Sequence, residues 1–258
     1  MTLIVDTHAH LTDKHFADLP KYLDLAKQAG VSRIVNVGTT LEDSLQCIQI
    51  AEKHPEVKAA VGIHPNTCCQ ASDGDWEQII ELANHPEVVA LGETGLDKYW
   101  DDCPWESQIA NFTRHWELSR RTNLPVVIHT RDCAEETLLF LQSQAKDGPL
   151  NGVMHSYAGP WDVAEGCLEL GLYISFAGMV TFKNAAEVQD VARRVPSDRI
   201  LVETDSPYLT PHPHRGKRPN HPALVSHTLD FLAELREVSP EELAETTTQN
   251  TFRLFGSW

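Results

Sequence analysis

Two histidines two residues apart, His8 and His10, follow a short apolar run at the start of the chain. On an extended strand, residues i and i+2 project to the same face. The pair therefore forms a chelate for one divalent cation; two ordinary surface or core histidines are the competing reading. Other candidate ligands share that setting. Glu93 follows the apolar run 88–91, and Asp205 follows the run 200–202. His129 and His155 end the runs 125–128 and 152–154. A buried lone carboxylate is costly, and a bound cation removes the cost. The competing readings are an ion pair with Arg131 for Glu93 and a turn cap for Asp205. A Glu93 bridge between two cations, with His8, His10 and Asp205 on one and His129 and His155 on the other, is a two-metal site. Such a site lowers the pKa of a bound water and clamps attacking and leaving oxygens. Asp205 is placed to accept the proton of the attacking water. Ligands of this type suit Mg or Mn as working ions and Zn, Ni or Fe as bound ones.

These residues need a scaffold that gathers strand ends. Eight short runs rich in Val and Ile recur at 3–5, 33–37, 57–63, 88–91, 125–128, 152–154, 172–176 and 200–202. Each is too short for a helix and suits a strand buried on both faces. Helical spacing lies between them: Leu19, Tyr22, Leu23 and Ala26, closed by Gly30, then Leu45, Ile48 and Ala51, then Trp76, Ile79, Ile80 and Ala83. Longer patterns cover 105–122 and 222–236, and two short helices are expected at 240–247 and 249–255. The alternation predicts parallel strands and right-handed crossovers. Eight units in 258 residues predict an α/β fold, a single (β/α)8 TIM barrel over 1–258 with short extra helices at the C-terminus. An open doubly wound sheet is the alternative. The first strand lacks a Gly-x-Gly-x-x-Gly turn, so no organic dinucleotide cofactor is expected. Barrels of this type carry their sites at the C-terminal strand ends, where the six candidate ligands and His64 fall.

The motifs in order are Asp6-Thr7-His8-Ala9-His10, Gly62-Ile63-His64-Pro65, Gly92-Glu93-Thr94-Gly95-Leu96-Asp97, Ile128-His129-Thr130-Arg131, His155-Ser156-Tyr157-Ala158-Gly159 and Glu203-Thr204-Asp205-Ser206-Pro207-Tyr208-Leu209. Jointly they resemble the TatD family of metal-dependent deoxyribonucleases, within the amidohydrolase-like barrels, over essentially the whole chain. The resemblance implies metal ligands at His8, His10, Glu93, His129, His155 and Asp205, agreeing with the set read from the strand ends. It implies a catalytic role for Glu93, Asp205 and His64, the last a non-ligand histidine that touches a substrate phosphate. A core histidine beneath Pro65 is the competing reading of His64. The sequence departs from the family pattern at Asn66, Ser156-Tyr157 and His221. None of these is a ligand position, so the departures bear on substrate preference. The implied activity is two-metal phosphodiester hydrolysis of DNA, 3′–5′ exonuclease-like, on single strands or 3′ ends. The alternatives are a dinuclear hydrolase of a small amide, ester or lactone or of D-aminoacyl-tRNA, and a non-catalytic scaffold with a vestigial site. Dinuclear relatives bridged by a carbamylated lysine need that lysine where Glu93 stands, which weakens the cyclic-amide branch.

Arg215, Lys217 and Arg218 form the strong cluster of positive charge, just after the last site strand. They either contact substrate phosphates or form a solvated loop. Tyr99 is grouped with them, and Tyr99 and Trp100 either stack a terminal base or pack on the barrel. The whole chain is acidic, with 21 Lys and Arg against 37 Asp and Glu and a formal net charge of -16. That charge repels polyanions at long range, but two divalent cations outweigh the two site carboxylates at contact. The expectation is a weak, metal-dependent binder of strand ends. No stretch approaches the apolar length of a membrane span, and the first residues lack the basic start of a signal peptide. The six cysteines, at 47, 68, 69, 103, 133 and 167, form no Cys-x-x-Cys pair. They read as reduced thiols, with Cys68-Cys69 adjacent and free, in a cytoplasmic monomer.

Overall fold

A computed structural model describes residues 3–258; Met1 and Thr2, part of the N-terminal stretch read for a leader, lie outside the described residues. Among the described residues there are eight strands: Ile4–Ala9 (β1), Val31–Val37 (β2), Val57–Val61 (β3), Val88–Asp97 (β4), Val126–Arg131 (β5), Gly152–Met154 (β6), Tyr173–Phe176 (β7) and Ile200–Val202 (β8). They form one parallel sheet in chain order. It curls until the residues after β8 meet β1: Asp205 N donates to His8 O (2.9 Å) and His10 N to Ser206 O (2.8 Å). The fold is the expected TIM barrel, and every predicted run is a strand. The helices of the described residues are Leu19–Gln28 (α1), Leu41–Ala51 (α2), Asp75–Leu82 (α3), Trp105–Thr122 (α4), Ala134–Gln144 (α5), Trp161–Glu169 (α6), Ala186–Arg194 (α7), Val225–Leu235 (α8) and Pro240–Phe255 (α9).

Local chemistry sets the helix ends. The Thr40 hydroxyl accepts from Asp43 N at the start of α2, and the Ser239 hydroxyl accepts from Glu242 N at the start of α9, where Pro240 follows. Gly30 takes φ of 84° just after α1, as its C-terminal position predicts. Alternate strand residues serve two cores. Val35, Ala60, Ala90, Val127, Val153, Tyr173 and Leu201 fill the barrel interior, with Leu254 and Phe255 of α9 packed against them. Neighbours such as Ile34, Ala59, Leu91, Ile128 and Ile174 face the helices.

The largest departures from the expected boundaries lie in β4 and at the C-terminal end. β4 runs six residues beyond 91, through a Gly-Glu-Thr-Gly sequence that reads as a turn. Gly92 (φ 126°) and Gly95 (φ 148°) permit this. A Cβ on Gly92 would lie 2.6 Å from Val127 O, and one on Gly95 would overlap the His129 carbonyl. The two short terminal helices are one helix, α9, of 16 residues. Its weak helix formers are held by tertiary bonds: the buried Asn250 donates to Ser197 O (2.8 Å) and Ile200 O (2.9 Å) beside β8.

The reading of six reduced thiols is corrected. Cys69 and Cys103 form a disulfide with Cα atoms 5.5 Å apart. Cys47, Cys68, Cys133 and Cys167 are free. The partners stand 34 residues apart; adjacent β3 and β4 bring their C-terminal loops together, which no local spacing reveals. Among the described residues, no helix is long and apolar enough to cross a membrane.

Candidate metal centre

Glu93 is the hub of the barrel mouth. Its Oε2 lies 3.5 Å from His8 Nε2 and 3.6 Å from His10 Nε2. Its Oε1 lies 2.7 Å from His129 Nδ1, 2.8 Å from His155 Nε2 and 3.4 Å from His64 Nε2. Asp205 Oδ1 completes the first cluster, 3.8 Å from His8 Nε2 and 3.6 Å from His10 Nε2. The bonds that close the barrel, at His8 O and Asp205 N, thus also bring these ligands together. All six predicted ligands and His64 converge. The ion pair considered between Glu93 and Arg131 is replaced by these imidazoles, and the Arg131 guanidinium instead lies 3.6 Å over the Tyr99 ring.

The far side of each imidazole sets what faces the centre. His10 Nδ1 donates to Val37 O (2.8 Å), His155 Nδ1 to Glu203 Oε1 (3.2 Å) and His129 Nε2 to Asp97 Oδ2 (2.9 Å). In the neutral ring each then turns a lone pair inward, as a metal ligand must. His64 is wired the other way. Its Nδ1 accepts from Asn66 N (3.1 Å), so its proton sits on Nε2 and points at the centre. His64 is therefore a hydrogen-bond donor toward whatever occupies the mouth.

Charge follows the same division. Burial lowers the pKa of His8 and His64, keeping them neutral. Burial also opposes charge on His10, but the Asp205 bond and the Glu93 charge outweigh it and carry its pKa to about 9. Burial is likewise outweighed at His155, by the Glu93 charge and the Glu203 bond, and at His129, by bonds from Asp97 and Glu93; both are raised. Burial opposes ionisation of Glu93, yet His155, His64 and His129 hold its pKa well below the usual carboxylate range. A cluster that draws protons onto its imidazoles in this way is one in which a cation takes the protons' place.

The donor spacing fits a cation. With ligands about 2.1 Å from a tetrahedral ion, neighbouring donors stand about 3.4 Å apart. His8 and His10 lie 3.1 Å apart at Nε2, and each stands 3.5 to 3.8 Å from Glu93 Oε2 and Asp205 Oδ1. On the other side, Glu93 Oε1 lies 2.7 Å from His129 Nδ1 and 2.8 Å from His155 Nε2, and those two nitrogens are 3.5 Å apart. Among the described residues, His8 Nδ1 has no hydrogen-bond partner, so Nε2, facing the carboxylates, is the side the protein uses.

Several contributors escaped sequence reasoning. Asp97 is buried; its Oδ1 accepts from Tyr99 N (2.8 Å) and Trp100 N (3.0 Å), and its Oδ2 from His129 and from Asn66 Nδ2 (3.1 Å). Glu203 Oε1 also accepts from Ser156 N (2.7 Å). Asp6, beneath the centre, ties β1 to the segment after β8 by accepting from Thr204 Oγ1 (2.6 Å) and Thr204 N (2.9 Å). Burial pushes its pKa up to about 8. All three acids lie inside or beside the quoted motifs; an unpaired carboxylate at the end of an apolar run was the available signal.

The substrate-contact candidates separate. A cavity of about 1280 Å³ opens over the centre, and Arg218 lines it while Arg215 and Lys217 do not. The Arg215 guanidinium stacks on Phe182 at 4.0 Å. Trp100 and Tyr208 line the cavity, whereas Tyr99 sits behind, against Arg131.

Known proteins resemble this chain over its full length. A family model described as TatD related DNase matches residues 5–256. YabD of Bacillus subtilis, an uncharacterized metal-dependent hydrolase, is 40% identical over 254 residues, covering 98% of this chain and 99% of its own. YcfH of Escherichia coli, of the same description, is 43% identical over 256 residues, covering 98% and 95%. The crystal structure of YjjV, a TatD homolog from Escherichia coli, superposes with a TM-score of 0.93 at 31% identity, over 99% of this chain and 98% of that one. With the family's match spanning residues 5–256 and relatives 40% and 43% identical along the whole barrel, the chain belongs to the TatD family and is a metal-dependent hydrolase.

Proposed function

We propose that the chain hydrolyses phosphodiester bonds of DNA with two divalent ions, removing nucleotides from single-stranded 3′ ends. The observation that carries the reading is the division of Glu93: each carboxylate oxygen faces its own set of imidazoles. Two divalent ions, when bound, supply an activated water and the charge that stabilises a phosphoryl transition state. The chain's own groups do the rest. His8, His10 and Asp205 would hold one ion and His129 and His155 the other, with Glu93 available to both. Asp205, whose side chain is 14% exposed against 4% for Glu93, reaches solvent and accepts the proton of the attacking water. His64 donates Nε2–H to a non-bridging phosphate oxygen. Arg218 at the rim steers the backbone. The cavity, at about 1280 Å³, exceeds the roughly 300–1,000 Å³ of small-ligand pockets, which supports a polymer end over a small amide or lactone.

The test is incubation of end-labelled single-stranded DNA with Mn- or Mg-loaded protein. Stepwise shortening from the 3′ end is expected, with activity lost in Glu93→Ala and Asp205→Ala. Intact DNA together with turnover of amide, ester, lactone or D-aminoacyl-tRNA substrates overturns the reading. Endonucleolytic products overturn the exonuclease part alone.

A further inference from the structure

The large hydrophobic side chains most exposed among the described residues are Leu3, Leu45, Tyr99, Trp100, Leu139 and Tyr208. The three aromatic ones all follow site strands, and two of them, Trp100 (49% exposed) and Tyr208 (52% exposed), line the mouth cavity. Trp100 follows β4 and Tyr208 follows β8. In an eight-strand barrel running in chain order, β4 and β8 are diametrically opposed. The two rings thus stand on opposite rims with the Glu93 centre between them.

Trp100 has a guanidinium near its ring, Tyr208 shares the cavity wall with one, and both have an anchored backbone. The Arg131 guanidinium lies 5.8 Å from the Trp100 ring and is itself stacked on Tyr99. Asp97 holds Trp100 N with one oxygen and His129 with the other, so a single carboxylate links this ring's loop to the centre. The same loop is fastened at its far end by the Cys69–Cys103 disulfide. On the other rim, Arg218 lines the cavity with Tyr208, and its charge bears on the phenol. Asn220 Nδ2 donates to Tyr208 O (2.6 Å), and the ring lies 6.2 Å from that of His10. Exposed aromatic rings on anchored loops, in a cavity that arginines also line, are suited to flat π-systems attached to anions.

The geometry points to two ring-stacking subsites, Trp100 with Arg131 and Tyr208 with Arg218, that seat the nucleobases on either side of the scissile phosphate. The inference rests on the nucleotide reading above and adds how the substrate is gripped. It assigns Tyr99 a backing role behind Arg131.

The test is equilibrium binding of thymidine 5′-monophosphate and of deoxyribose 5-phosphate to the Mn-loaded protein. The wild type is expected to prefer the nucleotide by about 5- to 150-fold, the value of a base–aromatic stack. Trp100→Ala and Tyr208→Ala should each remove part of that preference, and the double variant all of it. Trp100→Phe and Tyr208→Phe should retain it, with unchanged thermal midpoints throughout. A preference that survives in the double variant, or is missing in the wild type, overturns the proposal. Full loss in one single variant overturns the second subsite. DNA hydrolysis is scored separately: intact DNA beside a surviving ring preference sinks the nuclease reading and leaves the subsites standing.

Discussion

Replacing Asp97 with asparagine probes the centre through a residue that touches no metal position. Asp97 accepts four hydrogen bonds, two on each oxygen: Tyr99 N and Trp100 N on Oδ1, His129 Nε2 and Asn66 Nδ2 on Oδ2. Burial raises its pKa, but the bonds from His129, Trp100 and Asn66 outweigh this and hold it below the ordinary range, so it is a carboxylate. Asparagine keeps the shape and offers one acceptor oxygen. If that oxygen keeps the two backbone N–H groups, the new NH₂ faces His129 Nε2. The ring must then accept there and carry its proton on Nδ1, the atom 2.7 Å from Glu93 Oε1. That proton blocks the lone pair a cation needs. The opposite amide orientation aims NH₂ at two N–H donors. Loss of such a partner lowers metal affinity about 10- to 100-fold, or ~1.4–2.7 kcal/mol. Calorimetric titration of the metal-free protein with Mn should show one of two sites weakened by that factor. The site built on His8, His10 and Asp205 should change little. Nitrogen-15 shifts of His129 should report the inverted tautomer. Wild-type affinity at both sites, with the His129 proton still on Nε2, refutes the reasoning.

Three further outcomes follow from the same geometry. Arg218→Glu should raise the KM for single-stranded DNA and reduce the salt slope of binding by ~0.7 for the lost phosphate contact, while Arg215→Glu, at a residue stacked on Phe182 outside the cavity, should leave both unchanged. Cys103→Ser should lower stability by up to about 4 kcal/mol, the chain-entropy value for a 34-residue separation, measured by urea unfolding without reductant; an unchanged midpoint would show that the bond is absent in solution. His115, which accepts from Ile63 N and donates to Asn111 O, has its pKa pushed by burial from 6.5 down to about 3. Its contribution is therefore complete above pH 6.5 and is lost as pH falls toward 3. Between pH 7.5 and pH 5 the loss should be about 2 kcal/mol in the wild type, and that share of the acid sensitivity should vanish in His115→Gln.

The ligand set was legible because each ligand ends a run whose burial can be read locally. His8 and His10 share a strand face by the two-residue repeat, and Glu93, His129 and His155 each follow a short apolar run. The same local reading marked β4 as ending at 91, since Gly92 and Gly95 look like turn residues until a neighbouring strand is present to press against them. It also divided α9, whose Asn250 favours helix only when Ser197 and Ile200 accept its amide protons.

By itself, the amino-acid order determined that eight strands alternate with helices, favoured their closure as a barrel over an open sheet, and placed six candidate ligands at the strand ends. Those properties rest on periodicity and on the high cost of burying polar groups, both of which act within a few residues. Only the tertiary structure decided how the end is wired. The partners of His129 and His155, the reversed orientation of His64, the pairing of Cys69 with Cys103, and the separation of Arg218 from Arg215 depend on which loops become neighbours. Strand order and barrel closure set that adjacency, across intervals of tens of residues that leave no trace in local spacing.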